Sequence, residues 1–157
     1  MQNLQGKYRM DDMIKQAKLK ALSLLNYMDR TEFQLRQKLK EKSFDDKAIG
    51  EAITYVKSFG YINDASYAER YVMNKQNSKS KQELYAVLSQ KGISREHIEH
   101  ALETCYESKS ELKTLYRLCE KRHFVVETAT ESEKKKMYQY LLRKGFRGED
   151  ICKVLNV

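Results

Sequence analysis

Cations at helical spacing are the residues of this chain best placed to do chemistry, and the chemistry is the holding of phosphate. Arg36, Lys38, Lys40 and Lys42 crowd one predicted helix. Arg36 and Lys40 stand at i, i+4 on a face turned away from Leu35 and Leu39. A second group opens another predicted helix with Lys134-Lys135-Lys136 and closes it with Arg143, Lys144 and Arg147. Cations so placed neutralise backbone phosphates without reading bases, which gives salt-dependent affinity and no sequence preference. The plainer reading of the same residues is a solvated helix face. Net charge is +8 over 157 residues, and it is unevenly spread. Residues 1–60 hold 12 Lys and Arg against 8 Asp and Glu, residues 61–109 hold 7 against 7, and residues 110–157 hold 11 against 7. A basic excess toward both ends points to a polyanion as the partner or as part of it.

Other constellations are weaker. The glycines at 6, 50, 60, 92, 145 and 148 form neither GxGxxG nor GxxxxGK[ST], so nucleotide hydrolysis is not expected and no cofactor is called for. His97 and His100 stand at i, i+3, a spacing that suits two metal ligands, but no Cys pair or third His joins them, and a mixed-charge solvated face explains them as well. Asp45-Asp46 and Glu149-Asp150 fall where helices begin, so capping accounts for them before acid–base work does. Among the aromatics, Tyr27, Tyr55, Tyr71, Phe44 and Phe146 read as core, while Tyr85, Tyr106 and Tyr116 stay open between core and base stacking. Cys105, Cys119 and Cys152 are odd in number and sit in apolar helical patterns, as reduced core thiols do. No apolar run is long enough to span a membrane, and residues 1–10 show no signal-peptide core, so the expected location is the cytoplasm.

The elements that must position these residues are helices. There is no Pro, and a third of the residues are charged. The chain also repeats itself. Leu39 to Phe44 aligns with Leu88 to Ile93 and with Leu141 to Phe146; Leu35, Leu84 and Met137 lie four positions upstream of each, and Ile49/Ile53, Ile98/Leu102 and Ile151/Leu155 follow at matching distances. Each copy needs neighbours to bury its apolar face, so a stacked array is expected. The predicted fold is all-α: a tandem array of three three-helix, helix-turn-helix-like repeats, elongated and curved, with boundaries at 1–60, 61–109 and 110–157. The first helix is expected over Met13 to Met28. Thr31 with Gln34, Ser80 with Glu83 and Thr130 with Glu133 are capping boxes. Asp45 or Asp46, Asp64 and Ser94 are further caps, and Gly60 and Gly92 are expected in the left-handed conformation. Phe124-Val125-Val126 is assigned to a loop.

Three segments together resemble the RecX family of bacterial recombinase regulators. Arg30-Thr31-Glu32-Phe33-Gln34-Leu35 with Leu39 looks like the family's first-repeat signature. Gly60-Tyr61-Ile62-Asn63-Asp64-Ala65-Ser66-Tyr67-Ala68 looks like its junction between the first two repeats, and Gly60, Tyr61, Asp64 and Tyr67 carry that match. Lys91-Gly92-Ile93-Ser94 and Lys144-Gly145-Phe146 look like its later turns. The likeness runs from about residue 17 to 155. Before the second helix of the second repeat, where the family usually has a Gly and often basic residues, this chain has Asn77-Ser78-Lys79-Ser80-Lys81.

The resemblance implies a non-enzymatic regulator. It would bind the RecA recombinase filament on single-stranded DNA along the filament groove. It would inhibit RecA's ATPase, strand-exchange and co-protease activities, and so modulate recombination, DNA repair and the SOS response. The partners expected are the RecA filament and single-stranded DNA, with double-stranded DNA a further possibility, no membrane, and a monomeric chain. The basic face expected to touch DNA or filament comprises Arg30, Arg36, Lys38, Lys40, Lys42, Lys79, Lys81, Lys134, Lys135, Lys136, Arg143, Lys144 and Arg147. Two rivals stand beside this: a sequence-non-specific nucleic-acid-binding helical protein that acts without RecA, and an enzyme built on His97 and His100.

Overall fold

The computed structural model describes residues 2–107 and 110–157. All the secondary structure among them is helical: α1 Gln2–Tyr27, α2 Glu32–Glu41, α3 Asp46–Ser58, α4 Asp64–Lys75, α5 Lys81–Gln90, α6 Arg95–Cys105, α7 Ser110–Lys121, α8 Glu131–Arg143 and α9 Gly148–Leu155. They form three three-helix repeats in tandem. Ser108 and Lys109, where the second expected boundary falls, lie outside the described residues.

Local chemistry fixes most helix starts. Thr31 and Thr130 each close a reciprocal capping box, with Gln34 and Glu133 respectively. Ser80 and Glu83 exchange the same pair of bonds, at 3.1 and 3.2 Å. Asp45 accepts from the Ala48 N–H at 2.7 Å, and Ser94 accepts from the His97 N–H at 3.3 Å. Two expected caps fall elsewhere. The side chain that caps α4 is Asn63, which accepts from the Ser66 N–H, not Asp64. The cap position of α9 is Arg147, without a side-chain bond, so Glu149 and Asp150 serve that helix only as negative charge in its first turn. α1 also begins well before Met13. Residues 4–9 are exposed and give no apolar period, and they extend a helix anchored where Ala17 and Ala21 pack.

The chain divides into two compact units. The first is Met1–Tyr67 with Lys91–Ile93, and the second is Ala68–Gln90 with Ser94–Val157. In the first, Ala17, Ala21, Leu35, Leu39, Ile49, Ile53 and Val56 make the core, with Phe44 and Tyr55 packed on it. Tyr27 and Met28 are not core: they are 82% and 51% exposed. In the second, Leu115, Met137, Leu141, Phe146, Ile151 and Leu155 cluster around Cys119, whose thiol pKa burial raises.

One device holds successive repeats, and it occurs twice. The Thr31 hydroxyl, which caps α2, donates to the Lys91 carbonyl of the second repeat's turn at 2.6 Å. The Ser80 hydroxyl, which caps α5, donates to the Lys144 carbonyl of the third repeat's turn at 2.6 Å. Each turn places a left-handed glycine over the first turn of the helix it touches. A Cβ on Gly92 would lie 2.3 Å from the Phe33 Cβ, and one on Gly145 would lie 2.8 Å from the Gln82 Cβ. The first repeat's own turn instead holds Ser43 at φ 65°, exposed to solvent. An acidic side chain completes each junction: Asp64 accepts from the Glu32 N–H at 3.0 Å, and Glu111 accepts from the Lys81 N–H at 3.5 Å.

Candidate nucleic-acid interface

The helix α2 turns its cations to two sides. Residues 38 and 42 lie one turn apart and roughly opposite 36 and 40 around the axis. Lys38 and Lys42 face α1, and with Lys20, Ser23, Leu24, Tyr27, Arg30 and Glu41 they line a cleft of about 440 Å³. Arg30 is braced there, its Nε donating to the Leu24 carbonyl at 3.4 Å. Lys38 reaches Glu41 at 3.0 Å, and Glu41 is the one carboxylate of the lining against four cations. Such a cleft draws in anions, and the exposed ring of Tyr27 gives it a face for stacking.

Arg36 is occupied on the other side. It holds Glu32 at 2.9 Å, while Lys57 reaches the second oxygen of the same carboxylate at 2.7 Å. Partial burial works to raise the Glu32 pKa, but the hydrogen bonds and charges of Lys57 and Arg36 outweigh it and hold the carboxyl below its ordinary value. Glu32 thus braces the junction where Asp64 meets α2, and Lys40 stays exposed alongside.

In the second compact unit the cations are scattered or engaged. Lys134 and Lys135 share a recess of about 180 Å³ with Glu131, Tyr138 and Val157. Lys136 and Arg143 are exposed, and Arg147 stands at the start of α9. Lys144 sits 3.4 Å from Glu83, and its carbonyl is taken by Ser80. Lys79 gives its carbonyl to the Tyr106 hydroxyl, and Lys81 lies 5.2 Å from the Tyr106 ring. Arg122, which the sequence did not single out, stacks on Tyr140 at 3.6 Å. On α6, His97 and His100 are both exposed, and His100 lies 3.8 Å from Glu69.

The junction residues have distinct tasks. Gly60 ends α3 at φ 71°. Tyr61 is exposed and stacks on Phe59. Asp64 ties α4 to α2, and Tyr67 lies under Lys91 at 5.8 Å.

Models of the RecX first, second and third three-helix domains match residues 17–55, 63–102 and 109–155. The chain belongs to the RecX family. It is 37% identical over 144 residues to the regulatory protein RecX of Caldanaerobacter subterraneus subsp. tengcongensis, covering 91% of this chain and 71% of that one. It is 30% identical to the RecX of Clostridium beijerinckii, covering 86% of this chain and 64% of that protein. Among solved structures, the crystal structure of RecX from Lactobacillus salivarius matches with a TM-score of 0.79 at 30% identity, over 93% of this chain and 98% of the other. A second RecX crystal structure matches with a TM-score of 0.84 at 23% identity, over 99% of this chain and 77% of the other, a likeness of fold. The RecX relatives are named as regulatory proteins, and among the described residues no group of three or more His, Cys, Asp and Glu is placed to hold a metal. No helix of the described residues is long and apolar enough to cross a membrane.

Proposed function

We propose that this chain is a non-enzymatic regulator that binds the RecA filament on single-stranded DNA and inhibits its ATPase, strand-exchange and co-protease activities. It would act in the cytoplasm as a monomer of three repeats, bounded at 1–60, 61–109 and 110–157. The observation that carries the reading is the α1–α2 cleft, where Lys20, Arg30, Lys38 and Lys42 converge in a chain of the RecX family. Four cations in one cleft suit a run of phosphates held without base specificity. The cations of the third repeat, Lys134, Lys135, Lys136, Arg143 and Arg147, would bind DNA or an acidic filament surface in a secondary role.

Charge reversal tests the cleft. Lys20→Glu, Lys38→Glu and Lys42→Glu together are expected to weaken binding to a preformed RecA–single-stranded-DNA filament at least tenfold. The plot of log affinity against log salt should flatten by about 0.7 for each phosphate no longer neutralised. Unchanged affinity and slope would remove the cleft from the interface. The cleft also suits a plain nucleic-acid binder that works without RecA. Equal affinity for free DNA and for the filament, with no effect on RecA turnover, would favour that reading.

A further inference from the structure

A second feature of the first compact unit adjoins the cleft and has no part in holding phosphate. Tyr55, Phe59 and Tyr61 form a continuous aromatic shelf. The Tyr55 and Phe59 rings meet edge to face at 5.1 Å, and those of Phe59 and Tyr61 lie stacked at 5.5 Å with 21° between their planes. Phe59 and Tyr61 remain 57% and 53% exposed. Lys18 stands 4.9 Å from the Tyr55 centroid. Tyr61 also walls a recess of about 610 Å³ that it shares with Leu22, Ser23, Leu25 and Asn26, a size within the range of about 300–1,000 Å³ usual for small-molecule sites. Two leucines give an apolar surface, the ring gives a π-face, and the Asn26 amide is both donor and acceptor. Ser23 lines this recess and the basic cleft alike, so the two adjoin along α1.

We propose that the Phe59–Tyr61 shelf and its recess take an unpaired base of a single-stranded nucleic acid whose phosphates lie in the neighbouring cleft. The inference rests on the reading of that cleft as a phosphate groove and adds the chemical class of what lies beside it. Polyanion affinity and exposed rings are the two components of sequence-tolerant single-strand binding. A base inside a duplex has no free face to offer. An apolar protein segment would suit the rings but not the cations that border them.

The test uses the full chain without RecA. An oligothymidylate with one internal 2-aminopurine is titrated at fixed salt, beside a duplex of equal length. Expected are quenching of the 2-aminopurine on binding and tighter binding of the single strand. Phe59→Leu with Tyr61→Leu should keep the apolar bulk, remove the stacking faces, and weaken single-strand binding about 5- to 100-fold. The salt slope should stay unchanged, and a thermal melt verifies that the variant is folded. Absence of quenching by the wild-type protein overturns the proposal without recourse to any variant. Single-strand affinity unchanged in the leucine variant overturns it too. If that variant has also lost inhibition of RecA, the shelf docks protein, and the regulatory reading survives. If the variant weakens single-strand binding as expected while the wild type leaves RecA turnover untouched, the shelf stands and the regulatory reading falls.

Discussion

Helices α2 and α8 occupy the same place in the first and third repeats. Both open with a threonine capping box and carry dense lysine, yet their surroundings differ. Thr31 is fully buried, and its hydroxyl donates to the Lys91 carbonyl while Asp64 takes the Glu32 N–H. Thr130 is exposed, and its hydroxyl turns to its own Glu133. Lys38 on α2 and Lys42 at its C-cap meet Lys20 and Arg30 across a cleft, whereas Lys134 and Lys135 on α8 share a smaller recess with Glu131. One local signature therefore does two jobs. On α8 it starts a helix. On α2 it starts a helix and also joins the next repeat, and its lysine side chains line a cleft with Lys20 of α1 and Arg30 of the α1–α2 connection.

The largest test of this contrast is steric. Gly92→Ala puts a methyl 2.3 Å from the Phe33 side chain at φ 78°. It should cost about 2–4 kcal/mol, from overpacking plus the left-handed penalty. Gly60→Ala, at φ 71° with nothing within 4 Å, should cost only about 1 kcal/mol. Chemical denaturation measures both, and equal losses would mean that the turn does not clamp α2.

Next comes the pair of caps. Thr31→Ala removes a cap and leaves the Lys91 carbonyl without its 2.6 Å partner, so about 2–3 kcal/mol is expected. Thr130→Ala should lose about 1 kcal/mol, the cap alone. A larger loss at Thr130 would reverse the contrast.

Lys20→Ala with Lys38→Ala should lower the salt slope of single-stranded DNA binding by about 1.4, and Lys134→Ala with Lys135→Ala by less. Equal slopes would make the two helices equivalent as binding faces.

The smallest effect concerns Glu32. Its folded pKa is held below the ordinary value of 4.5, so its contribution is present above that pH and is lost as pH falls through the folded value. Wild type should therefore be more stable than Glu32→Gln at pH 7, with the gap constant down to about pH 5 and closing at lower pH. Melts of both proteins across that range would show it, and a gap that widened in acid would contradict the pairing with Lys57 and Arg36.

What the sequence made legible was local. Helical periods, the three capping boxes and the left-handed glycines at 60 and 92 depend on residues within a few positions of one another, and each stands where its spacing put it. Asp64 does not cap α4 because its carboxylate takes the Glu32 N–H, 32 positions away. The neighbouring Asn63 has the same capping chemistry, and spacing does not choose between them. Tyr27 continues the period of Leu24, but as the last residue of α1 it is left exposed. Lys20 gives no signal on α1, since Lys38 and Lys42, which line the same cleft, lie well away from it in sequence. Spacing along α2 did separate Arg36 and Lys40 from the apolar stripe, but not which lysines would converge with α1.

Regulation of the RecA filament is the proposed role of this chain. It is tested most directly by single-stranded-DNA-dependent ATP hydrolysis of the cognate RecA, titrated with this chain at fixed salt, with DNA binding by the chain alone measured in parallel. Inhibition is expected at concentrations well below those that coat the free DNA, relieved by Lys20→Glu, Lys38→Glu and Lys42→Glu. Inhibition only at DNA-coating concentrations, or none at all, would contradict it.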